Sequence, residues 1–170
     1  MTDGPGVSDV PDVSDGTAGT GDPDHVAAQT GVVVHTAVTD VPLEDRRAEA
    51  RRWTGTDATG AVVTFEGVVR DHDAGHGVSA LTYTAHPTAS AVLARIAEDT
   101  VSEHPETRLW VEHRTGELTV GDLAFLVVVA AAHRGPAFAA VAAVADAVKS
   151  GVPIWKEQQR SDGTTDWVGL

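Results

Sequence analysis

The chain has no cysteine among its 170 residues. Disulfides, thiolate metal sites and a cysteine nucleophile are therefore excluded, and any sulfur chemistry must use sulfur that another molecule brings. The sequence also lacks an apolar run of the roughly 20 residues that span a bilayer. Its first residues do not combine a basic region with an apolar one, as a secretion signal does. We expect a soluble protein of the cytoplasm that contacts no membrane.

Positive charge is scarce in this chain. Lys and Arg number 12 against 25 Asp and Glu, which gives a formal net charge of -13. This balance argues against a nucleic-acid partner, because binding to a phosphate backbone needs an extended basic surface. A few cations gathered in one cleft can still hold a small anion, since a cleft focuses their field.

The first 29 residues differ in composition from the rest. They contain six Asp, no Lys or Arg and no aromatic residue. Such a segment buries too little apolar surface to offset the entropy lost on ordering it. We predict a disordered acidic leader over residues 1–29 and a single folded domain over residues 30–170, which is long enough to form its own core.

Strand and helix patterns alternate along the domain. Strands are predicted at residues 31–38, 60–70, 79–86, 108–114, 123–132, 154–159 and 165–168, and helices at residues 43–53, 88–104 and 136–150. Residues 123–132 are apolar without alternation, which is typical of a central strand covered on both faces. We expect residues 79–86 to form a hairpin with residues 60–70. The fold class predicted is α+β, a single domain with a mixed, largely antiparallel sheet, hairpins and two to three packed helices.

His133 and Arg134 lie where the buried strand leads into a helix opened by Gly135 and Pro136. Free backbone N–H groups at a helix start favour an anion, and a guanidinium adds a bidentate contact. A surface ion pair of Arg134 and a structural role for His133 explain the same residues equally well.

Lys149 is predicted in the last turn of that helix and Lys156 in the strand that follows Pro153. If both enter one cleft with Arg134, a lysine there suits general acid or base work or the polarisation of a carbonyl group. Alternatively, Lys149 complements the helix C-terminus and Lys156 extends beside Trp155.

The eight histidines do not form a recognisable metal motif. His72 and His76 are the closest pair, yet no third ligand follows at a suitable spacing. Nucleophile-elbow, phosphate-loop and dinucleotide motifs do not occur either. We predict no metal site and no cofactor.

Four segments, in this order, resemble the large, catalytic subunit of molybdopterin synthase. They are residues 65–70 (FEGVVR), 113–118 (HRTGEL), 133–138 (HRGPAF) and 149–157 (KSGVPIWKE). The resemblance covers about residues 31–168 and implies the α/β hammerhead fold of that subunit. The chain departs from the family pattern at Thr84, where an acidic residue is common, and at His86, where an aromatic residue is common.

The resemblance implies a sulfur transferase of molybdenum cofactor biosynthesis. Members convert cyclic pyranopterin monophosphate to molybdopterin with sulfur from a thiocarboxylate on the C-terminal Gly-Gly of a small ubiquitin-like subunit. They form homodimers with one small subunit at each far end. By position, the resemblance makes Lys149 and Lys156 the catalytic pair. It assigns substrate binding to Val68, Val69, Arg70, His133, Arg134, Lys149, Lys156, Glu157 and Gln158.

Two other functions fit the same residues. A non-catalytic binding protein for a phosphorylated metabolite would use the cations only to hold its ligand, and would tolerate the loss of one lysine. A scaffold that only docks the small subunit would need neither Arg70 nor the pair His133 and Arg134.

Overall fold

The computed structural model describes residues 23–73, 76–160 and 162–169. Its elements in chain order are α1 (Pro23–Ala27), β1 (Val32–Thr39), α2 (Arg46–Thr54), β2 (Ala61–Val68), β3 (His72–Asp73), β4 (His76–Ala85), α3 (Ala89–Glu103), β5 (Thr107–Arg114), β6 (Gly116–Thr119), β7 (Leu123–Ala131), α4 (Arg134–Gly151), β8 (Ile154–Arg160) and β9 (Thr165–Gly169). Of the predicted leader, residues 1–22 lie outside the described residues, and α1 occupies most of the remainder.

The first sheet has four strands in the order β1-β5-β7-β2. β1 runs parallel to β5, and the other neighbours are antiparallel. All nine residues of β7 are buried. Val127 and Val129 pack into the core beneath α3 and α4, whereas Leu126 and Val128 belong to the core beneath α2. The predicted central strand is confirmed, because both of its faces are covered.

The second sheet is built around β4, which pairs with β3, β6 and β8, and β9 extends it beyond β8. The predicted hairpin between residues 60–70 and 79–86 is wrong, since β2 pairs with β7 instead. Backbone hydrogen bonds of Val69 with Gly121 and Asp122 fix the chain as it leaves the first sheet. The next strand therefore enters a different sheet. The predicted α+β class is confirmed.

Helix boundaries differ from the predicted ones. α2 starts at Arg46 because the preceding residues form a turn around the fully buried Leu43, whose carbonyl accepts the Arg46 amide. α4 starts at Arg134, two residues before Pro136. Proline is tolerated there because N–H groups of the first helical turn have no partner within the helix. The described residues contain four helices rather than two or three, and none of them is long and apolar enough to cross a membrane.

Candidate functional site

The predicted site residues fall at two opposite ends of the first sheet. β2 and β7 are antiparallel, with Val68 opposite Leu123 at one end and Ala61 opposite Ala131 at the other. We call these the Leu123 end and the Ala131 end. At about 3.3 Å of rise per residue, strands of this length hold the two ends roughly 25 Å apart.

Val68, Val69 and Arg70 lie at the Leu123 end, where β2 stops. The Val69 amide donates to the Asp122 carbonyl (3.0 Å), and the Gly121 amide donates to the Val69 carbonyl (2.8 Å). Val69 is buried between its exposed neighbours Val68 and Arg70. Arg70 was predicted to end the strand, but β2 ends at Val68, and Arg70 follows the hydrogen-bonded Val69.

Lys149 reaches the same end through α4. This helix begins just after Ala131 and packs back along β7 and β2. Its 18 residues span about 27 Å, so its last turn returns to the Leu123 end. Lys149 is exposed in that last turn. The predicted position of Lys149 at the helix end is confirmed.

Lys156, Glu157 and Gln158 lie in β8, opposite Tyr83, Thr82 and Leu81 of β4. Successive side chains of a strand point to opposite faces. Lys156 and the buried Gln158 therefore share one face, and the half-buried Glu157 lies on the other. The three side chains, all assigned to substrate binding, therefore do not lie on one face of β8.

The His113 ring joins the second sheet to the Leu123 end of the first. Its centroid lies 5.2 Å from that of Tyr83, the β4 partner of Lys156, and 5.6 Å from that of Phe125. Burial lowers the pKa of His113, although a hydrogen bond to the Arg114 carbonyl at 2.9 Å partly opposes this shift. Because a carbonyl can only accept, Nδ1 carries the proton. A neutral side chain thus packs beside the strand pair that carries Lys156.

His133 and Arg134 lie at the Ala131 end, and both are exposed. His133 is the extended residue before α4, and its side chain makes no capping hydrogen bond. Along the helix axis Arg134 and Lys149 are about 22 Å apart, at 1.5 Å per residue. Arg70, Lys149 and Lys156 thus lie toward the Leu123 end of a single chain, whereas His133 and Arg134 lie at the Ala131 end.

A cavity of about 900 Å³ opens at the Ala131 end. Much of its wall is apolar, and Val26, Ala27 and Pro136 are among the residues that line it. Its ionisable lining residues are Asp57, Glu106 and His133, and neither lysine of the predicted site reaches it. Two carboxylates against one histidine do not favour an anionic ligand, so this cavity is not by itself the phosphate site.

Known proteins resemble this chain in sequence and in fold. A family model described as MoaE protein matches residues 38–151. The molybdopterin synthase catalytic subunit of Nostoc sp. (strain PCC 7120) is 38% identical over 136 residues, which cover 79% of this chain and 81% of that one. The chain belongs to the MoaE protein family.

Solved structures agree with this family assignment. Molybdopterin synthase from Staphylococcus aureus matches with a TM-score of 0.70 and 31% identity over 84% of this chain and 98% of that chain. The complex of subunit 1 and 2 of molybdopterin-converting factor from Helicobacter pylori matches with a TM-score of 0.58 and 20% identity, over 80% and 90% of the two chains. The second match shows the fold alone. The family resemblance predicted from the four sequence segments is confirmed.

The MoaE family match includes most of the predicted site residues. Inside it lie Val68, Val69, Arg70, His133, Arg134 and Lys149. The match ends before β8, so Lys156, Glu157 and Gln158 are placed by the sequence motif and by the pairing of β8 with β4.

Sequence reasoning missed a buried carboxylate on β5. Glu112 is 1% exposed, and its oxygens lie 3.2 Å from Arg46 Nε, 3.1 Å from His35 Nε2 and 3.0 Å from Trp110 Nε1. These contacts fix the start of α2 to the sheet. The sequence did contain a signal for a buried carboxylate: Glu112 is the one acidic residue of β5, and it directly follows the apolar run Leu109–Val111.

Glu66, in the first of the four segments (residues 65–70), also has a structural role. Arg47 binds both of its oxygens, at 2.6 Å and 2.9 Å. This hydrogen-bonded pair lowers the pKa of Glu66 and raises that of Arg47. The pair clamps α2 to β2 on the face opposite α3 and α4.

Proposed function

We propose that this chain catalyses the conversion of cyclic pyranopterin monophosphate to molybdopterin. As a member of the MoaE family, the chain is an enzyme subunit of molybdenum cofactor biosynthesis. The observation that carries the detailed proposal is the placement of Lys149 and Lys156 at one end of the fold, although one lies in α4 and the other in β8. Because the chain has no cysteine, it offers cations but no thiol of its own.

The sulfur donor in this proposal is a thiocarboxylate on the C-terminal Gly-Gly of a small ubiquitin-like subunit. The Nostoc relative is named a catalytic subunit, which supports the existence of a second kind of subunit. One lysine would polarise the thiocarboxylate carbonyl and offset the negative charge that develops as sulfur departs, while the other moves protons on the pterin. We place this assembly in the cytoplasm, without nucleic acid.

We propose that two copies of the chain share each site. Arg70 and the two lysines lie at the Leu123 end, whereas Arg134 lies about 22 Å from Lys149 along α4. A single pyranopterin does not bridge this gap. His133 and Arg134 of a second copy would therefore bind the substrate phosphate, and a two-fold dimer would contain two such sites.

The roles of the remaining predicted residues follow from their placement. The backbone of Val68 and Val69 lines the site beside Arg70, and Gln158 shares the face of Lys156. Glu157 lies on the other face of β8, so its contribution comes through the backbone.

A reconstituted reaction tests the proposal. The purified chain is mixed with cyclic pyranopterin monophosphate and thiocarboxylated small subunit, and molybdopterin is quantified by mass spectrometry. We expect Lys149→Ala to lower the rate by about a hundredfold or more, because one general acid or base usually accelerates a reaction by at least that factor. Its melting temperature should hold, because an exposed helix position tolerates alanine.

The matched control is Arg95→Ala, which removes an exposed cation from α3 far along the chain from the site. This variant should keep normal turnover. Near-normal turnover in Lys149→Ala, with the small subunit bound as in the unmodified chain, would refute the catalytic assignment.

A further inference from the structure

The last turn of α2 carries a cationic and aromatic surface that the proposed reaction does not use. Arg51 and Arg52 are exposed, and Trp53 is 56% exposed. The Arg52 guanidinium carbon lies 5.6 Å from the Trp53 ring centroid, within cation–π range. We call these three residues the α2 patch. Neither of its arginine side chains forms an ion pair with any residue of ranges 23–73, 76–160 and 162–169.

The arginines at the start of α2 differ from those of the patch. Arg46 contacts Glu49 and the buried Glu112, and Arg47 binds Glu66. The fold therefore supplies carboxylates to the first half of the helix. In a chain with a net charge of -13, the last turn has two guanidinium groups to which the described fold supplies no counter-ion.

Helix capping does not account for the α2 patch. Cations in a last turn commonly bind the terminal carbonyls and offset the helix dipole. Arg108 of β5 already fills this role: its Nε donates to the Thr54 carbonyl at 2.9 Å and its Nη2 to the Trp53 carbonyl at 3.3 Å. Arg51 and Arg52 are thus available for another partner.

The chain's own N-terminal segment has the complementary chemistry. Residues 1–22 contain five Asp and no Lys or Arg, and residues 7–15 read VSDVPDVSD, three copies of a Val-x-Asp triplet. A period of three matches the polyproline II helix, which has three residues per turn. In that conformation the aspartates share one edge and the valines another. Carboxylates suit guanidinium groups, and an apolar, proline-containing edge suits an exposed indole.

The N-terminal segment joins the fold close to the α2 patch. α1 starts at Pro23 and ends at Ala27, and Gln29 lies two residues beyond its end. The Arg108 side chain spans the two regions, because its Nη1 donates to the Gln29 carbonyl at 2.9 Å while its Nη2 donates to the Trp53 carbonyl. A segment of 22 residues has a root-mean-square reach of about 25 Å. A tether of this length is long enough to reach the patch, and a short tether gives an intramolecular partner an effective concentration in the millimolar range.

We propose that the α2 patch is the docking surface for residues 1–22 of the same chain. Aspartates of the Val-x-Asp repeat bind Arg51 and Arg52, and its proline and valines cover the Trp53 indole. Two carboxylates flank the patch, Glu49 and Asp57, but Arg46 already binds Glu49 at 2.6 Å. The net charge presented to the segment therefore remains positive.

Residues 1–22 lie outside the family match, which begins at residue 38, whereas the α2 patch lies inside it. The docking does not depend on the proposed reaction. Exposed ion pairs are weak and sensitive to salt, so the docking is reversible. Its consequence is to cover a cationic surface that otherwise attracts other acidic proteins.

The absence of cysteine makes a direct test simple. Ser14→Cys gives the full chain one site for a nitroxide spin label, which broadens NMR signals of nearby protons. We expect the amides of residues 51–54 and the Trp53 indole N–H to lose at least about twofold more intensity than the amide of Arg95 on the opposite face. Raising the salt from about 0.1 M to about 1 M shortens the screening length from about 10 Å to about 3 Å and should remove the difference.

Charge reversal provides the matched control. The double variant Arg51→Glu, Arg52→Glu should lose the selective broadening, and Arg95→Glu should keep it. Selective broadening of unlabelled, isotope-enriched chain mixed with labelled chain would identify a second copy as the occupant and overturn the proposal. Broadening that is uniform, insensitive to salt or centred on His133 and Arg134 would also overturn it. The salt series uses the Ser14→Cys chain alone, so the test does not depend on folding of the charge variants.

Discussion

Two inactive variants of this chain should restore activity to each other if each site draws on two copies. Lys149→Ala removes a cation at the Leu123 end, and Arg134→Ala removes one at the Ala131 end, about 22 Å away along α4. A homodimer of either variant lacks one of these groups at both sites. In a mixed dimer, one site lacks both groups and the other combines an intact Lys149 with an intact Arg134.

The size of the effect follows from counting sites. When the two variants assort at random in equal amounts, half of the dimers are mixed, and each mixed dimer has one intact site of two. Activity per chain should therefore reach about one quarter of that of the unmodified protein, and about one half after mixed dimers are purified through two affinity tags. Molybdopterin formation with thiocarboxylated small subunit is the readout.

A second pairing controls for general stabilisation by mixing. Lys149→Ala and Lys156→Ala affect the same end of one chain, so their mixed dimers have no intact site and should remain inactive. If the mixed dimer of Lys149→Ala and Arg134→Ala shows only the activity of its parents, the site does not combine these groups across two copies. Recovery in the control pairing would show that Lys149 and Lys156 serve different sites.

Two predictions concern stability. Burial lowers the pKa of His113, so the unfolded chain, with a histidine pKa of about 6.5, takes up the proton first and stability falls as the pH drops below that value. His113→Phe should flatten this acid limb in melting temperatures measured from pH 7 to 5, and parallel curves would contradict the buried-neutral assignment. Arg108→Ala should lower the free energy of unfolding by about 2 to 3 kcal/mol, because the carbonyls of Gln29, Trp53 and Thr54 lose a charged donor. Urea denaturation measures this loss against Arg95→Ala, and equal midpoints would show that water replaces the guanidinium.

The local sequence pattern predicted the individual helices and strands better than it predicted which strands pair with each other. Residues 123–132 are apolar at every position, and only a strand covered on both faces satisfies that pattern. For residues 60–70 the local pattern predicted a strand correctly, yet it carried no information about which strand lies beside it. β2 pairs with β7, and the backbone hydrogen bonds of Val69 with Gly121 and Asp122 continue this contact between residues more than 50 positions apart. Contacts of this kind are not encoded in a local period.

The site illustrates the same limit in a different way. Sequence motifs identified Arg70, Arg134 and the two lysines as a set, but a motif lists residues without their positions in space. The buried network around Glu112 was missed because its donors come from β1, α2 and β5. Only the assembled fold brings such groups together.

One distance in the site was nevertheless present in the sequence. A predicted helix over residues 136–150, with Arg134 just before its start and Lys149 in its last turn, already places these two residues roughly 20 Å apart. A ligand that contacts both requires either a broken helix or a second chain. Breaking α4 would expose its buried face, Ala137, Ala140, Val144 and Val148, which packs in the main core. A second chain carries no such cost, and Phe138, 60% exposed one turn from Arg134, offers apolar surface for it.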